Sequence, residues 1–389
     1  MSDDPAPMNG DPRALVNARV LVDEGFVEGR AVIVEGDRIA AVVAESDPRV
    51  KAAERHDLAG AMLLPGFIDA QVNGGGGVLF NDAPTVETLR TIGRAHRRFG
   101  TTGFLPTLIS DDLSVIAAAI RAVRDAIAAR VPGVIGVHIE GPFIREARKG
   151  AHDAAKFRDL DERGVELLTS LGTGRTLVTL APEVTDAETI RRLTRAGVVV
   201  SAGHTNATYE QMHEAFRHGV TGLTHLFNAM SPLTSREPGA VGAALDDPDC
   251  WCGLIVDGKH VHPAALRVAL RCKRPDRFIL VTDAMPIVGS DHDYFMLQGR
   301  RVSLRDGACV DENGTLAGAA LDMASAVRNT VHLLGASVEQ AARMASTYPA
   351  QFLGLGRELG RIAPGYRANL TLLDANLKAT RTWIEGRPG

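Results

Sequence analysis

The chain has 389 residues, and 43 Lys+Arg against 47 Asp+Glu give a formal net charge of −4. Hydrophobic residues make up 45% and charged residues 23%, ordinary values for a folded protein, with no basic field to attract nucleic acid. No run of about 20 uncharged apolar residues is present to span a bilayer, and Cys250, Cys252, Cys272 and Cys309 lack paired zinc-finger spacing, so reduced thiols and a cytoplasmic setting are expected.

Residues 1–11 are polar and acidic, with neither the basic start nor the apolar core of a secretory signal. Short β-branched runs follow at 14–21, 31–35 and 38–43, with Gly36-Asp37-Arg38 as a hairpin turn. Residues 369–373 and 379–384 read as strands at the other end. Neither end has enough apolar surface for its own core. Together they predict one small β-sandwich-like domain, built from 1–63 and 356–389.

Over 64–355 short apolar runs alternate with helix-period stretches, the signature of a parallel α/β sheet. Core strands are expected at 62–71, 102–108, 134–140, 177–182, 198–204, 222–227, 253–257 and 278–283. Intervening helices are expected at 85–99, 113–130, 186–196, 209–218 and 263–271, and closing helices at 323–334 and 338–353. Eight such units predict a (β/α)8 TIM barrel. Gly74-Gly75-Gly76-Gly77 follows the first strand but lacks the G-x-G-x-x-G spacing of a doubly wound sheet, and so reads as a flexible loop. The charged segment 143–150 reads as a solvated loop.

Four apolar runs end in residues that bind metal or move protons: Glu140, His204, His225 and Asp283. Taken singly, a strand-end His is more often a hydrogen-bonded structural residue, and a strand-end Asp often caps the next helix. In a barrel, however, the strand C-termini converge on one face. Two imidazoles and a carboxylate with an open position form a catalytic zinc-type donor set, Glu140, His204 and His225, around a metal-activated water. Asp283 is then the general acid/base. His138 shares a strand face with Glu140 and reads as support for the site floor.

Four motifs occur in order: Pro65-Gly66-Phe67-Ile68-Asp69, His138-Ile139-Glu140-Gly141-Pro142, Gly203-His204-Thr205-Asn206-Ala207 and Thr224-His225-Leu226-Phe227-Asn228-Ala229-Met230. They are followed by Arg236-Glu237-Pro238-Gly239, Asp257-Gly258-Lys259-His260 and Val281-Thr282-Asp283-Ala284. The set resembles the N-acetylglucosamine-6-phosphate deacetylases of the amidohydrolase superfamily. That resemblance implies hydrolysis of the N-acetyl group of N-acetylglucosamine 6-phosphate to glucosamine 6-phosphate and acetate. It implies the same metal ligands and the same acid/base, with His152 contacting the substrate and polarising its amide carbonyl. It further implies phosphate contacts from Asn228, Ala229, Arg236 and His260, some of them across a homodimer interface.

Many amidohydrolases carry His-x-His at the end of the first barrel strand, where this chain has Gln71-Val72-Asn73. Neutral amides are poor zinc ligands. The resemblance is therefore to a subtype holding one divalent ion, with zinc as the default and iron, cobalt or manganese also fitting, and with Gln71 orienting the water. The rival readings are the same chemistry on N-acetylgalactosamine 6-phosphate, a cyclic-amide hydrolase on the same scaffold, and a non-catalytic barrel, against which the intact Glu140, His204, His225 and Asp283 set argues.

Overall fold

The computed structural model describes residues 11–389, so all of the polar opening segment but Asp11 lies outside the described residues. The expected strand 14–21 is two strands, Arg13–Val16 and Arg19–Val22. They part at Asn17, whose φ of 55° turns the chain. Arg13–Val16 lies in a four-stranded sheet with Arg30–Glu35, Arg38–Ala44 and Glu54–Asp57. Arg19–Val22 joins a six-stranded sheet in which Met62–Pro65, Leu370–Leu373 and Ala379–Ile384 lie side by side. Leu15, Val20, Leu63, Leu370 and Trp383 share one buried cluster, so residues from both ends of the described chain make a common core.

The eight-stranded sheet runs in chain order: Phe67–Val72, Thr101–Ile109, Gly136–Glu140, Arg175–Leu180, Val199–Ala202, Val220–Leu223, Trp251–Leu254 and Phe278–Leu280. Every neighbouring pair is parallel. A parallel bridge between Val72 and Ala284, and a 3.0 Å bond from the Asp283 N–H to the Gln71 carbonyl, join the last segment to the first. This is the expected TIM barrel.

The expected strand 62–71 divides at Gly66. Met62–Pro65 pairs in the terminal sheet, and only Phe67–Val72 enters the barrel. A Cβ at Gly66 would stand 2.1 Å from Thr102 Oγ1, so the change of sheet needs a residue without a side chain. Gly136 is constrained in the same way: a Cβ there would lie 2.0 Å from the Arg175 carbonyl oxygen, a backbone atom of the paired strand. Gly136→Ala is expected to lower stability by about 1–3 kcal/mol, read as a lower urea midpoint with an unchanged slope.

Helix ends follow local chemistry. Tyr209–His218 starts with a Thr208/Gln211 capping box and ends at Gly219 in the left-handed region. The expected helix 338–353 is two helices, Val338–Ala345 and Thr347–Phe352, because Ser346 leaves helical geometry (φ −136°, ψ −69°). The glycine run is not a flexible loop. Gly74–Gly75 pairs with Val78–Leu79 in a short hairpin, and His96 Nε2 bonds the Gly74 carbonyl at 2.9 Å. Gly75 has no room for a Cβ, which would meet that imidazole at 2.8 Å.

One sheet lies outside the sequence expectation. Tyr294–Leu297, Arg300–Arg305, Ala308–Asp311 and Leu316–Ala319 form an antiparallel four-stranded insert after the last barrel strand. Its apolar face, with Phe295, Leu297 and Val302, packs on Leu79, Ile109 and Met285, so it covers part of the strand C-terminal face. No helix among the described residues is long and apolar enough to cross a membrane.

Candidate metal centre and active site

Three strand ends meet in the barrel mouth. Glu140 closes the third strand, and His204 and His225 lie just past the fifth and sixth. Glu140 Oε1 is 3.2 Å from His204 Nε2 and 2.9 Å from His225 Nε2, and the two nitrogens are 3.2 Å apart. All three side chains are buried. His204, His225 and Asp283 all have positive φ (49°, 35° and 52°), which non-glycine residues seldom adopt. Three such residues around one point indicate a site that holds its backbone under strain.

The donor chemistry fits a divalent cation. His204 Nδ1 lies 2.8 Å from the Arg148 carbonyl, to which only a proton-bearing nitrogen can bond, so the neutral ring presents a bare Nε2 to the centre. Burial would raise the Glu140 carboxyl, but His204 and His225 outweigh it and hold the group well below the usual carboxylate range. Burial would lower His225, and Glu140 more than reverses that. An ionised carboxylate and convergent ring nitrogens are the donors of a catalytic zinc-type site. His152 also brings a ring nitrogen into a group with Glu140 and His204, all within 4.8 Å, so distance alone offers a second triad.

Asp283 stands beside this centre. Gln71 Nε2 donates to both Glu140 oxygens at 3.2 Å and to Asp283 Oδ1 at 3.1 Å. Asn73 Nδ2 donates to the same Asp283 oxygen at 2.6 Å. The two amides that replace the familiar His-x-His therefore orient carboxylates. Burial, reinforced by the Glu140 charge, pushes the Asp283 carboxyl up to about 6. Behind it, Asp69 accepts from the Thr282 hydroxyl and from the backbone N–H groups of Gln71 and Thr282, and burial pushes its carboxyl up to about 7.

His138 supports the floor as expected. Its Nδ1 meets Thr107 Oγ1 at 3.1 Å and its Nε2 meets Thr179 Oγ1 at 2.7 Å, so both nitrogens are occupied. Burial pushes this imidazole down to about 4. His152 packs against His204 with ring centroids 4.3 Å apart. Burial, then the neighbouring His204, holds it well below the usual imidazole range.

The expected anion contacts are less tightly assembled. Asn228 Nδ2 bonds the carbonyls of His225 and Leu226. His225, Phe227 and Ala229 alternate along a segment with positive φ. His260 Nδ1 lies 2.6 Å from Asp257 Oδ2. Arg236 is exposed, with no hydrogen-bond partner among the described residues. The segment 143–150 is only partly solvated. Phe143 and Ile144 are buried, and the Arg145 N–H bonds the His204 carbonyl at 3.0 Å, so this loop helps to hold a candidate ligand.

Sequence reasoning missed Ser110, which sits behind His152, and Gln298 in the inserted sheet. Ser110 follows the second barrel strand directly, so the strand-end rule that finds Glu140 also reaches it. Gln298 carries no comparable signal.

Residues 62–388 match the Amidohydrolase family. The chain is 43% identical over 371 residues to the N-acetylgalactosamine-6-phosphate deacetylase of Shewanella sp. (strain ANA-3), covering 95% of this chain and 94% of that protein. It is 36% identical over 379 residues to the N-acetylglucosamine-6-phosphate deacetylase of Haemophilus influenzae, covering 96% and 98%. The crystal structure of N-acetylglucosamine-6-phosphate deacetylase from Pasteurella multocida superposes with a TM-score of 0.94 at 36% identity, covering 97% of this chain and 99% of that one. A mutant of the Mycobacterium smegmatis N-acetyl-D-glucosamine-6-phosphate deacetylase, in complex with N-acetyl-D-glucosamine-6-phosphate, superposes at 0.90 with 32% identity, covering 97% and 99%.

Proposed function

Because the chain belongs to the amidohydrolase family and, within it, to the amino-sugar-6-phosphate deacetylases, we propose that it hydrolyses the N-acetyl amide of N-acetylglucosamine 6-phosphate to glucosamine 6-phosphate and acetate. The observation that carries this reading is the convergence of Glu140, His204 and His225 beside the raised carboxyl of Asp283.

Glu140, His204 and His225 would hold one divalent ion. When bound, the ion acidifies water and polarises the acetamide carbonyl. Asp283 takes the proton of the attacking water, then delivers it to the amine nitrogen as the C–N bond breaks. A carboxyl near 6 is ionised at neutral pH yet more basic than a free carboxylate, which suits both steps. Gln71 and Asn73 both donate to Oδ1 and so orient the carboxylate for that transfer. His152 stabilises the oxyanion of the tetrahedral intermediate.

Asn228, Ala229, Arg236 and His260 hold the phosphate. Positive φ recurs at 225, 227 and 229, and the N–H groups of Leu226 and Asn228 already donate to the Gly253 and His225 carbonyls, so Ala229 is the backbone contact proposed for the anion. Burial would raise Asp257, but the hydrogen bond and charge of His260 and the backbone N–H groups of His260 and Lys259 together outweigh this and keep the carboxyl low. Arg236→Ala is expected to raise KM for the phosphorylated sugar about tenfold, the size of one charge-assisted contact, with kcat nearly unchanged. The unphosphorylated sugar should show no such change.

Zinc is the proposed ion on the strength of its imidazole and carboxylate donors. A homodimer is proposed because the unpartnered Arg236 shares its exposed segment with Leu233, 56% exposed, a surface suited to a neighbouring subunit. The four free cysteines support a cytoplasmic setting. The test is acetate release from N-acetylglucosamine 6-phosphate, N-acetylgalactosamine 6-phosphate and their unphosphorylated forms, with zinc, iron, cobalt and manganese. The Shewanella relative bears the name of the galacto sugar, so both epimers belong in the assay. No acetate from any sugar with any metal would refute the proposal.

A further inference from the structure

We propose that Ser110 selects the tautomer of His152, and that Gln298, at the tip of the inserted hairpin, holds the pair in register, so that His152 acts as a hydrogen-bond donor and not as a metal ligand. The proposal rests on the deacetylase reading above and names two positioning residues for it.

Ser110 is fully buried at the end of the second barrel strand. Its Oγ lies 2.7 Å from His152 Nδ1, and its backbone N–H points at the same nitrogen, 3.4 Å away. A nitrogen that receives an N–H must offer a lone pair, so Nδ1 is the acceptor and the proton of the neutral ring sits on Nε2. A nitrogen bearing a proton cannot bind a metal ion. The second triad, Glu140 with His152 and His204, therefore loses a member, while Nε2–H becomes a donor for a carbonyl oxygen or oxyanion.

His204 shows the opposite arrangement. A carbonyl stands behind its Nδ1, so that nitrogen carries the proton and Nε2 is bare. Two adjoining imidazoles thus have opposite roles, set by what lies behind each ring: an N–H and a hydroxyl for His152, a carbonyl for His204.

The inserted sheet completes the clamp. Gln298 occupies the turn between Tyr294–Leu297 and Arg300–Arg305 with φ of 48°. Its Nε2 donates to the Ser110 carbonyl at 2.7 Å, and its Oε1 accepts the Asp153 N–H at 3.0 Å. Arg300, across the turn, donates to the Ala151 carbonyl. One hairpin tip therefore grips Ser110 and the residues on both sides of His152.

The test uses the metal-loaded full chain with Ser110→Ala and Gln298→Ala, each made in the wild type and in a His152→Asn background. Each change is expected to lower kcat about tenfold with KM nearly unchanged, the usual cost of losing a partner that orients an active-site imidazole. Neither should cause further loss once His152 is gone, because groups that act through one another are not additive. Nitrogen-15 NMR of histidine-labelled, zinc-loaded protein should show His152 protonated at Nε2, with that preference weakened by Ser110→Ala. Gln298 is only half-buried at a turn, so its variant remains informative if Ser110→Ala fails to fold. Wild-type kcat in the variants, equal losses in both backgrounds, or a proton at Nδ1 would each overturn the proposal. A wild type that releases no acetate overturns the proposed function instead, and the NMR still reads the tautomer.

Discussion

Asp283→Asn is expected to lower kcat by about 10²- to 10⁴-fold, the range for removing a general acid/base, while the bound ion stays in place. The substitution keeps shape and removes only the ability to take a proton. Glu140, His204 and His225 are untouched, so metal content measured by atomic absorption should match the wild type. The pH profile supplies a second measure. Asp283 is raised to about 6, so wild-type kcat should fall as the pH drops through about 6 and the base becomes protonated. The Asn variant should lack that acid limb. Near-normal turnover by the variant would show that another group carries the proton.

Glu140→Gln should remove both the ion and the activity. Glu140 supplies the negative charge among the three proposed ligands, and Gln71 is placed to donate to both of its oxygens. A neutral amide is a weak zinc ligand, and its NH2 group would face a donor. Sub-stoichiometric metal and a loss of about 10³-fold in kcat/KM are expected, since Lewis-acid stabilisation is worth several kcal/mol. Stability provides an activity-free check. An ion that binds only the folded state stabilises it, by about 4 kcal/mol at a thousand times its Kd. A chelator should therefore lower the wild-type Tm and leave the Glu140→Gln Tm unchanged. A variant that kept a full equivalent of metal would exclude Glu140 as a ligand.

Much of the site is legible in sequence because a barrel turns strand ends into neighbours. Glu140, His204, His225 and Asp283 each follow an apolar run, and knowing the fold class is enough to bring them together. The same rule reaches Ser110, whose hydroxyl draws less notice than an imidazole or carboxylate. Gln298 escapes it because its role depends on where an inserted hairpin lands. The insert does carry a local mark in Asp306-Gly307, a two-residue turn with both φ values positive (50° and 78°), whereas Gln298-Gly299 takes the same geometry (48° and 79°) without an Asn or Asp to announce it. Tyr294 and Met296 alternate outward with buried Phe295 and Leu297, and a strand of four residues is too short for that pattern to stand out.

By itself the sequence determined the alternation of strand and helix, the joint β domain of the two ends, and the residue types able to hold one metal ion. These depend on local periodicity and on chemistry that side chains carry wherever they lie. Only the tertiary structure decided that Gly66 divides one apolar run between two sheets, that the glycine run packs as a hairpin on His96, and that two neighbouring histidines carry their protons on opposite nitrogens. Each of these depends on an atom contributed from a distance: Thr102 against Gly66, Arg148 behind His204 and Ser110 behind His152. A one-dimensional pattern records which groups are present, whereas a proton's position on a ring is set by the group behind it, and folding alone brings that group there.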